Sequence, residues 1–203
     1  MLVIGLTGSI GTGKSVVAEL MQALGAVLIN ADRVGHEAYT PNSEGWNAVV
    51  GAFGKEIVQD NGEIDRRKLG GIVFSDPERL AELNRIMHPR IMSMIGDQLD
   101  ELRSQGVQVA VVEAAVLLEA GWEPLVDEVW ATDSPVGVLI QRLQARNGMS
   151  EEEVRKRLGS QMDRSERLAR VDVVVDNSRD MAHLEKTVNS LWDSRVKKRI
   201  AHT

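Results

Sequence analysis

The stretch Met1-Leu2-Val3-Ile4-Gly5-Leu6-Thr7-Gly8-Ser9-Ile10-Gly11-Thr12-Gly13-Lys14-Ser15 runs an apolar segment of strand length straight into a glycine-rich turn. Its second half has the phosphate-loop spacing of Gly, four residues, then Gly-Lys-Ser. Glycines are needed there because backbone amides must turn inward around phosphate oxygens, and the helix that follows adds its positive end. Gly8, Gly11 and Gly13 are therefore expected to let this turn close around the phosphates of a bound nucleotide. Lys14 should reach the β- and γ-phosphates, and Ser15 should offer its hydroxyl to Mg2+.

Working outward, further apolar runs of strand length stand at Ala26 to Ile29, Val107 to Val112, Glu128 to Ala131 and Val171 to Val175. Runs without polar alternation suit strands buried on both faces of a parallel sheet. Strand and helix repeating in this way predict an α/β fold with a five-stranded parallel sheet, right-handed crossovers and ligands beyond the carboxyl ends of the strands. Ser75 with Glu78 and Ser150 with Glu153 have capping-box spacing, while Gly25 and the pair Asn147-Gly148 read as helix stops. The interval after Asp32 is too long for a simple crossover. It predicts short helices at Arg33 to Tyr39, Glu44 to Phe53, Asp65 to Phe74, Pro77 to Met87 and Pro89 to Arg103, forming an insert at about residues 33–105 that binds the acceptor. No linker marks a second autonomous domain, so residues 1–203 are expected to form one domain. Met181 to Arg199 reads as a final packing helix, with Lys197 to Arg199 a solvated end.

The chain has 203 residues, with 24 Lys and Arg against 30 Asp and Glu for a net charge of −6. No basic excess is available to neutralise a nucleic-acid backbone, so nucleic acid is not an expected partner. Cysteine is absent, which excludes disulfides, thiolate metal sites and a cysteine nucleophile. No apolar stretch has the length of a membrane span or the form of a leader, so a soluble cytoplasmic protein, a monomer or weak homo-oligomer, is expected.

Other candidate site residues follow the strands. Asp32, after the second strand, either orients and deprotonates an acceptor hydroxyl or only caps a helix. Glu113 ends the third strand, where it could hold Mg2+, cap the next segment or pair with an arginine. Arg142 and Arg146, four apart on a helix, can project from one face, and either clamp a phosphoryl group from a lid at about residues 142–170 or form only a solvated basic face. The further cations Arg157, Arg164, Arg167 and Arg170 extend that lid. Asn177 follows the fifth strand as a turn residue or a contact to the base. His88-Pro89 breaks the insert between two helices, with His88 either structural or in contact with substrate. Trp46, Trp122, Trp130 and Trp192 are expected in the core or at an interface.

Together the segments Gly8 to Ser15, Ala31-Asp32, Asp65-Arg66, His88-Pro89, Leu117-Leu118-Glu119, Arg142-Leu143 and Asp176-Asn177 resemble the dephospho-CoA kinase family over nearly the whole chain. Glu113 to Trp122, Leu24-Gly25-Ala26 and Gly35 to Tyr39 are especially similar to the kinase half of bifunctional animal CoA synthase. Two positions depart from the family pattern: Asn30 stands where an acidic residue is frequent, and Glu113-Ala114-Ala115-Val116-Leu117-Leu118 replaces an Asp-x-Pro-Leu-Leu segment. The resemblance implies a P-loop kinase core that moves the γ-phosphoryl of ATP to the ribose 3′-hydroxyl of dephospho-CoA, with Mg2+. It also implies ATP phosphates along Gly11 to Val16, Asp32 facing the acceptor hydroxyl, Arg142 and Arg146 on the lid side, and Arg66 and His88 as acceptor contacts.

Overall fold

In the computed structural model, residues 1–201 are described. They divide into two compact units, one of residues 1–29 with 99–201 and the other Asn30–Gln98. The first is built on the strands β1 (Leu2–Thr7), β2 (Val27–Asn30), β3 (Val109–Glu113), β4 (Glu128–Asp133) and β5 (Val173–Asp176). Their order is β2-β3-β1-β4-β5, and the pairings of β1 with β3, β1 with β4 and β4 with β5 are all parallel. β1 and β3 are buried along their whole length, as expected for central strands covered on both faces.

The helix α1 (Lys14–Ala23) lays Val17, Ala18 and Met21 on the sheet. They join Leu2, Ile4, Leu6, Val109, Val111 and Trp130 in one core that also takes in Leu184, Val188 and Trp192. Trp122, Trp130 and Trp192 are buried as expected; Trp46 lies partly buried in the other unit and donates Nε1–H to Gly62 O at 2.8 Å. Gly5 leaves room for Leu117, whose Cδ1 would lie 2.5 Å from a Cβ at that position. Among the described residues no helix is long and apolar enough to cross a membrane.

Residues 30–98 carry α2 (Ala31–Glu37), α3 (Glu44–Phe53) and α4 (Arg66–Val73). Asn30 is the N-cap of α2, its side chain accepting from Arg33 N, so Asp32 stands free of capping in the first turn. The expected break at Pro89 is absent: α5 runs unbroken over Pro77–Ser104 with Pro89 inside it. Met87, Ile91 and Ile95 are buried at four-residue spacing across the proline. Burying three such side chains contributes about 2 kcal/mol each, more than the roughly 3 kcal/mol cost of an interior proline. The start of α5 also differs from the expected capping box. Asp76 accepts from Glu78 N, while Ser75 Oγ donates back to the carbonyls of Gly71 and Ile72.

The first unit continues through α6 (Val136–Asn147), α7 (Glu151–Gly159), α8 (Arg164–Ala169) and α9 (Met181–Leu191). Gly148 closes α6 in the left-handed conformation, and the Ser150–Glu153 capping box opens α7. The C-terminal helix is not uniform: a π-helical turn at Trp192–Val196 precedes α10 (Lys197–Ile200). Its cations are not all solvated. Glu128, buried at the head of β4, accepts from Arg195 Nε at 2.7 Å, Arg199 Nη1 at 2.7 Å and Trp130 Nε1 at 2.9 Å.

Burial raises the Glu128 carboxyl, but hydrogen bonds from Arg195, Trp130 and Arg199 outweigh it and hold the group below its usual value of 4.5. A depressed folded-state pKa contributes stability above the unfolded value and loses it as pH falls through the folded one. Glu128→Gln should therefore lower Tm at pH 7 by about 3–6 °C. In thermal melts across pH, the gap between the two proteins should narrow below 4.5.

Candidate nucleotide site

β1 delivers the chain at Thr7 to a loop whose glycines are required by space as well as by backbone angle. Gly8 has φ 147°, and a Cβ on it would meet Thr132 Oγ1 at 2.4 Å. Gly13 has φ 89°, and a Cβ there would meet Asn177 Nδ2 at 2.3 Å. No side chain caps α1, and its first turn holds no acidic residue. Its leading amides are thus left to an anion.

Behind the loop lies a buried polar lattice. Thr12 Oγ1 donates to Ser9 O at 2.7 Å and shares a 2.7 Å hydrogen bond with Thr132 Oγ1. Asn177 donates Nδ2–H to Thr12 O at 2.8 Å, and its own carbonyl accepts from Ser134 Oγ at 2.6 Å. Arg142 donates to Ser134 Oγ, Asn177 Oδ1 and Arg179 O at 3.3, 3.4 and 3.2 Å. In front, Lys14 Nζ rests on the carbonyls of Gly8 and Ser9 at 2.8 and 3.3 Å, at the loop it would share with phosphates. Ser15 Oγ, in the first turn of α1, donates to Glu113 Oε1 at the end of β3 at 2.7 Å, which brings two hard oxygen atoms together.

A cavity of about 560 Å³ opens beside this loop, lined by Gly11, Gly13, Val16, Arg142, Arg146 and Asn177 together with Leu143, Met181 and Leu184. Six residues expected from the sequence to serve the nucleotide or its phosphates therefore meet at one cavity. Arg146 is exposed and bonds Asn147 Oδ1 at 2.9 Å. Met181 and Leu184, on α9, supply an apolar wall suited to a planar base. No sequence signal separated them from a packing helix.

The cationic run beyond α6 is largely engaged within the chain. Arg164 pairs with Asp133, Arg170 with Glu123, and Arg167 with Glu119; Arg157 is exposed on α7.

Within Asn30–Gln98 a second cavity, also of about 560 Å³, is lined by His36, Tyr39, Gln59, Asp65, Arg66 and Arg67, among others. The Arg66 guanidinium lies 5.9 Å from the centroid of the Tyr39 ring. Burial pushes the Tyr39 phenol up, with Arg66 pulling the other way. Asp65 caps α4 through Arg67 N and Lys68 N, and those backbone hydrogen bonds, the one from Lys68 foremost, hold its carboxyl below the usual range. His88 is half-buried on α5, where burial lowers its pKa, and it does not line this cavity. His36 does, a position the sequence did not single out.

The family model for dephospho-CoA kinase matches residues 2–183. The chain belongs to the dephospho-CoA kinase family. A dephospho-CoA kinase of Geobacter sulfurreducens is 42% identical over 195 residues, covering 96% of this chain and 99% of that protein. One from Streptomyces avermitilis is 42% identical over 198 residues, covering 97% and 95%. The solved dephospho-CoA kinase from Campylobacter jejuni superposes with a TM-score of 0.73 at 27% identity, over 97% of this chain and 98% of that one. A shikimate kinase from Bacteroides thetaiotaomicron, 13% identical with a TM-score of 0.54, shares the fold alone.

Asn177→Asp would set a carboxylate oxygen against Thr12 O in place of a donor. Calorimetric titration with ADP should show binding weakened about tenfold, the equivalent of roughly one lost hydrogen bond. Unchanged affinity would remove Asn177 from the support of the loop.

Proposed function

We propose that the chain transfers the γ-phosphoryl group of ATP to the ribose 3′-hydroxyl of dephospho-CoA, giving CoA and ADP, the final step of CoA biosynthesis. The observation that carries this reading is the phosphate loop with Lys14, Ser15 and Glu113 at the ends of β1 and β3, in a chain of this family.

Phosphoryl transfer asks for positioning and charge stabilisation rather than covalent chemistry. The loop amides from Gly11 to Gly13 and the first turn of α1 hold the phosphates, and Lys14 swings from the Gly8 and Ser9 carbonyls onto the β- and γ-phosphates. Gly8 gives the loop its tight entry, and Thr12 fixes its rear wall through Thr132. Val16, Met181, Leu184 and Asn177 receive the base side of the nucleotide. Arg142 and Arg146 approach the phosphates from the side of the lid, which comprises α7, α8 and the end of α6. Closure of such a lid excludes water, so that a hydroxyl outcompetes hydrolysis.

Ser15 and Glu113 fit Mg2+, which takes one or two protein oxygens and completes its shell from phosphates and water. Bound there, the ion would offset the negative charge that moves between the phosphates. Ser15 would turn its hydroxyl oxygen outward, releasing the hydrogen bond to Glu113.

On the acceptor side, Asp32 orients the ribose hydroxyl and takes its proton; its carboxylate is exposed and free of capping duty because Asn30 caps α2. Arg66, over Tyr39 in a cavity of ligand size, meets an anionic part of dephospho-CoA. His88 contributes a neutral imidazole from α5. Residues 30–98 thus serve as the acceptor-binding insert. A cytoplasmic monomer or weak homo-oligomer suits a cysteine-free kinase acting on two soluble metabolites.

The deciding experiment mixes purified protein with Mg-ATP, with and without dephospho-CoA, and follows ADP and CoA by mass. CoA should form in step with ADP, and ADP release that ignores dephospho-CoA would overturn the reading. Lys14→Ala and Asp32→Asn should each lower kcat at least a hundredfold with an unchanged circular-dichroism spectrum. Near-normal kcat in Asp32→Asn would take that carboxylate out of the chemistry. Arg66→Ala should raise KM for dephospho-CoA about tenfold and leave KM for ATP unchanged, the mark of a contact to one substrate only.

A further inference from the structure

Arg167 is 2% exposed, a position where arginine is seldom found without partners. Its Nη1 donates to Ser9 Oγ at 2.6 Å, and its Nη2 donates to Glu119 Oε1 at 3.2 Å. The third side-chain nitrogen, Nε, is buried without a hydrogen-bond partner. A buried guanidinium with an unmatched donor is poor value as a stabilising device, because an apolar side chain of similar volume in such a place is frequently as stable or more so. Its position is better explained by what it holds in place.

Ser9 is the second residue of the phosphate loop, and its carbonyl is a hub. It accepts from Thr12 N at 3.3 Å, Thr12 Oγ1 at 2.7 Å and Lys14 Nζ at 3.3 Å. Fixing the Ser9 side chain therefore fixes the carbonyl against which both the loop and the lysine are set. The same stretch of chain grips the neighbouring loop residue as well, because Gln161 Oε1 accepts from Ile10 N at 3.0 Å. Glu119 ties the stretch further, accepting from Met162 N at 3.3 Å with the oxygen that takes Arg167.

The structure assigns Arg167 the role of a positioning residue for phosphoryl transfer, acting through Ser9 to hold the phosphate loop in register with residues 161–167, between and within the helices α7 and α8. Arg167 touches neither the nucleotide cavity nor the Ser15–Glu113 pair. Its effect is on geometry that must be right when charge develops on the transferring group. Displacements of about 1 Å at such groups can cost up to a hundredfold in rate. The inference rests on the kinase reading above, and it adds a residue whose chemistry is spent entirely inside the protein.

The test is a double-mutant cycle with Ser9→Ala and Arg167→Met, measured by CoA formation, with Tm recorded for each protein. Ser9→Ala removes one oxygen and leaves the fold. It should lower kcat about tenfold with Tm within about 2 °C of wild type and KM for both substrates within about threefold. The double variant should lose no more kcat than Arg167→Met alone, since both changes remove one interaction. Wild-type kcat in Ser9→Ala, or losses that multiply in the double variant, would overturn the inference. Should Arg167→Met fail to fold, Ser9→Ala alone decides by the same criterion. The outcomes separate the two readings: active wild type with unaffected Ser9→Ala sinks only the role of Arg167, whereas wild type that makes no CoA sinks the kinase reading and this inference with it.

Discussion

Behind the phosphate loop, Asn177 donates to the Thr12 carbonyl while the Thr12 hydroxyl meets that of Thr132, all of them buried. Buried polar groups of this kind are stable only when each finds its partner, and then they permit one arrangement. The lattice joins the turns after β1, β4 and β5 at a single place. It requires Gly8 and Gly13, because any side chain there would occupy the positions of Thr132 and Asn177. The curvature of the loop is set from the rear, by these buried groups.

The same economy runs through the cations. Of the arginines past α6, Arg164 and Arg170 hold α8 and its flank to β4 and to the turn before it, and Arg167 reaches the loop itself. Arg142 is half engaged, with long bonds to Ser134, Asn177 and Arg179 that a stronger anion could displace. Arg146 is exposed at the rim of the cavity. A graded set of this kind suits a site that must exchange a charged nucleotide: fixed charges shape it and weakly held ones respond to it.

Glu128 plays a comparable part for the C-terminal helix. A carboxylate inside β4 draws Arg195 and Arg199 back onto the sheet, across the π-helical turn at Trp192–Val196. The turn lets Trp192 and Val196 both reach the core. The sequence, with three cations at the helix end, suggested a solvated tip, since nothing along the chain points to a partner some seventy residues away.

What the sequence determined by itself was local or repetitive. The phosphate loop, the parallel sheet, the capping box at Ser150 and the Gly148 stop are legible because spacing, apolar runs and left-handed glycines are properties of a few neighbouring residues. The gathering of Gly11, Gly13, Val16, Arg142, Arg146 and Asn177 followed from the rule that ligands lie beyond the carboxyl ends of parallel strands. Tertiary structure decided the rest. Pro89 passes unbroken through α5 because burial at Met87, Ile91 and Ile95 outweighs a local rule. Asn30, not Asp32, caps α2, and Arg167, in sequence only one member of a cationic run, is buried. Those outcomes depend on which distant groups arrive beside a residue, and burial and hydrogen-bond satisfaction are set by the folded neighbourhood rather than by the order of the chain.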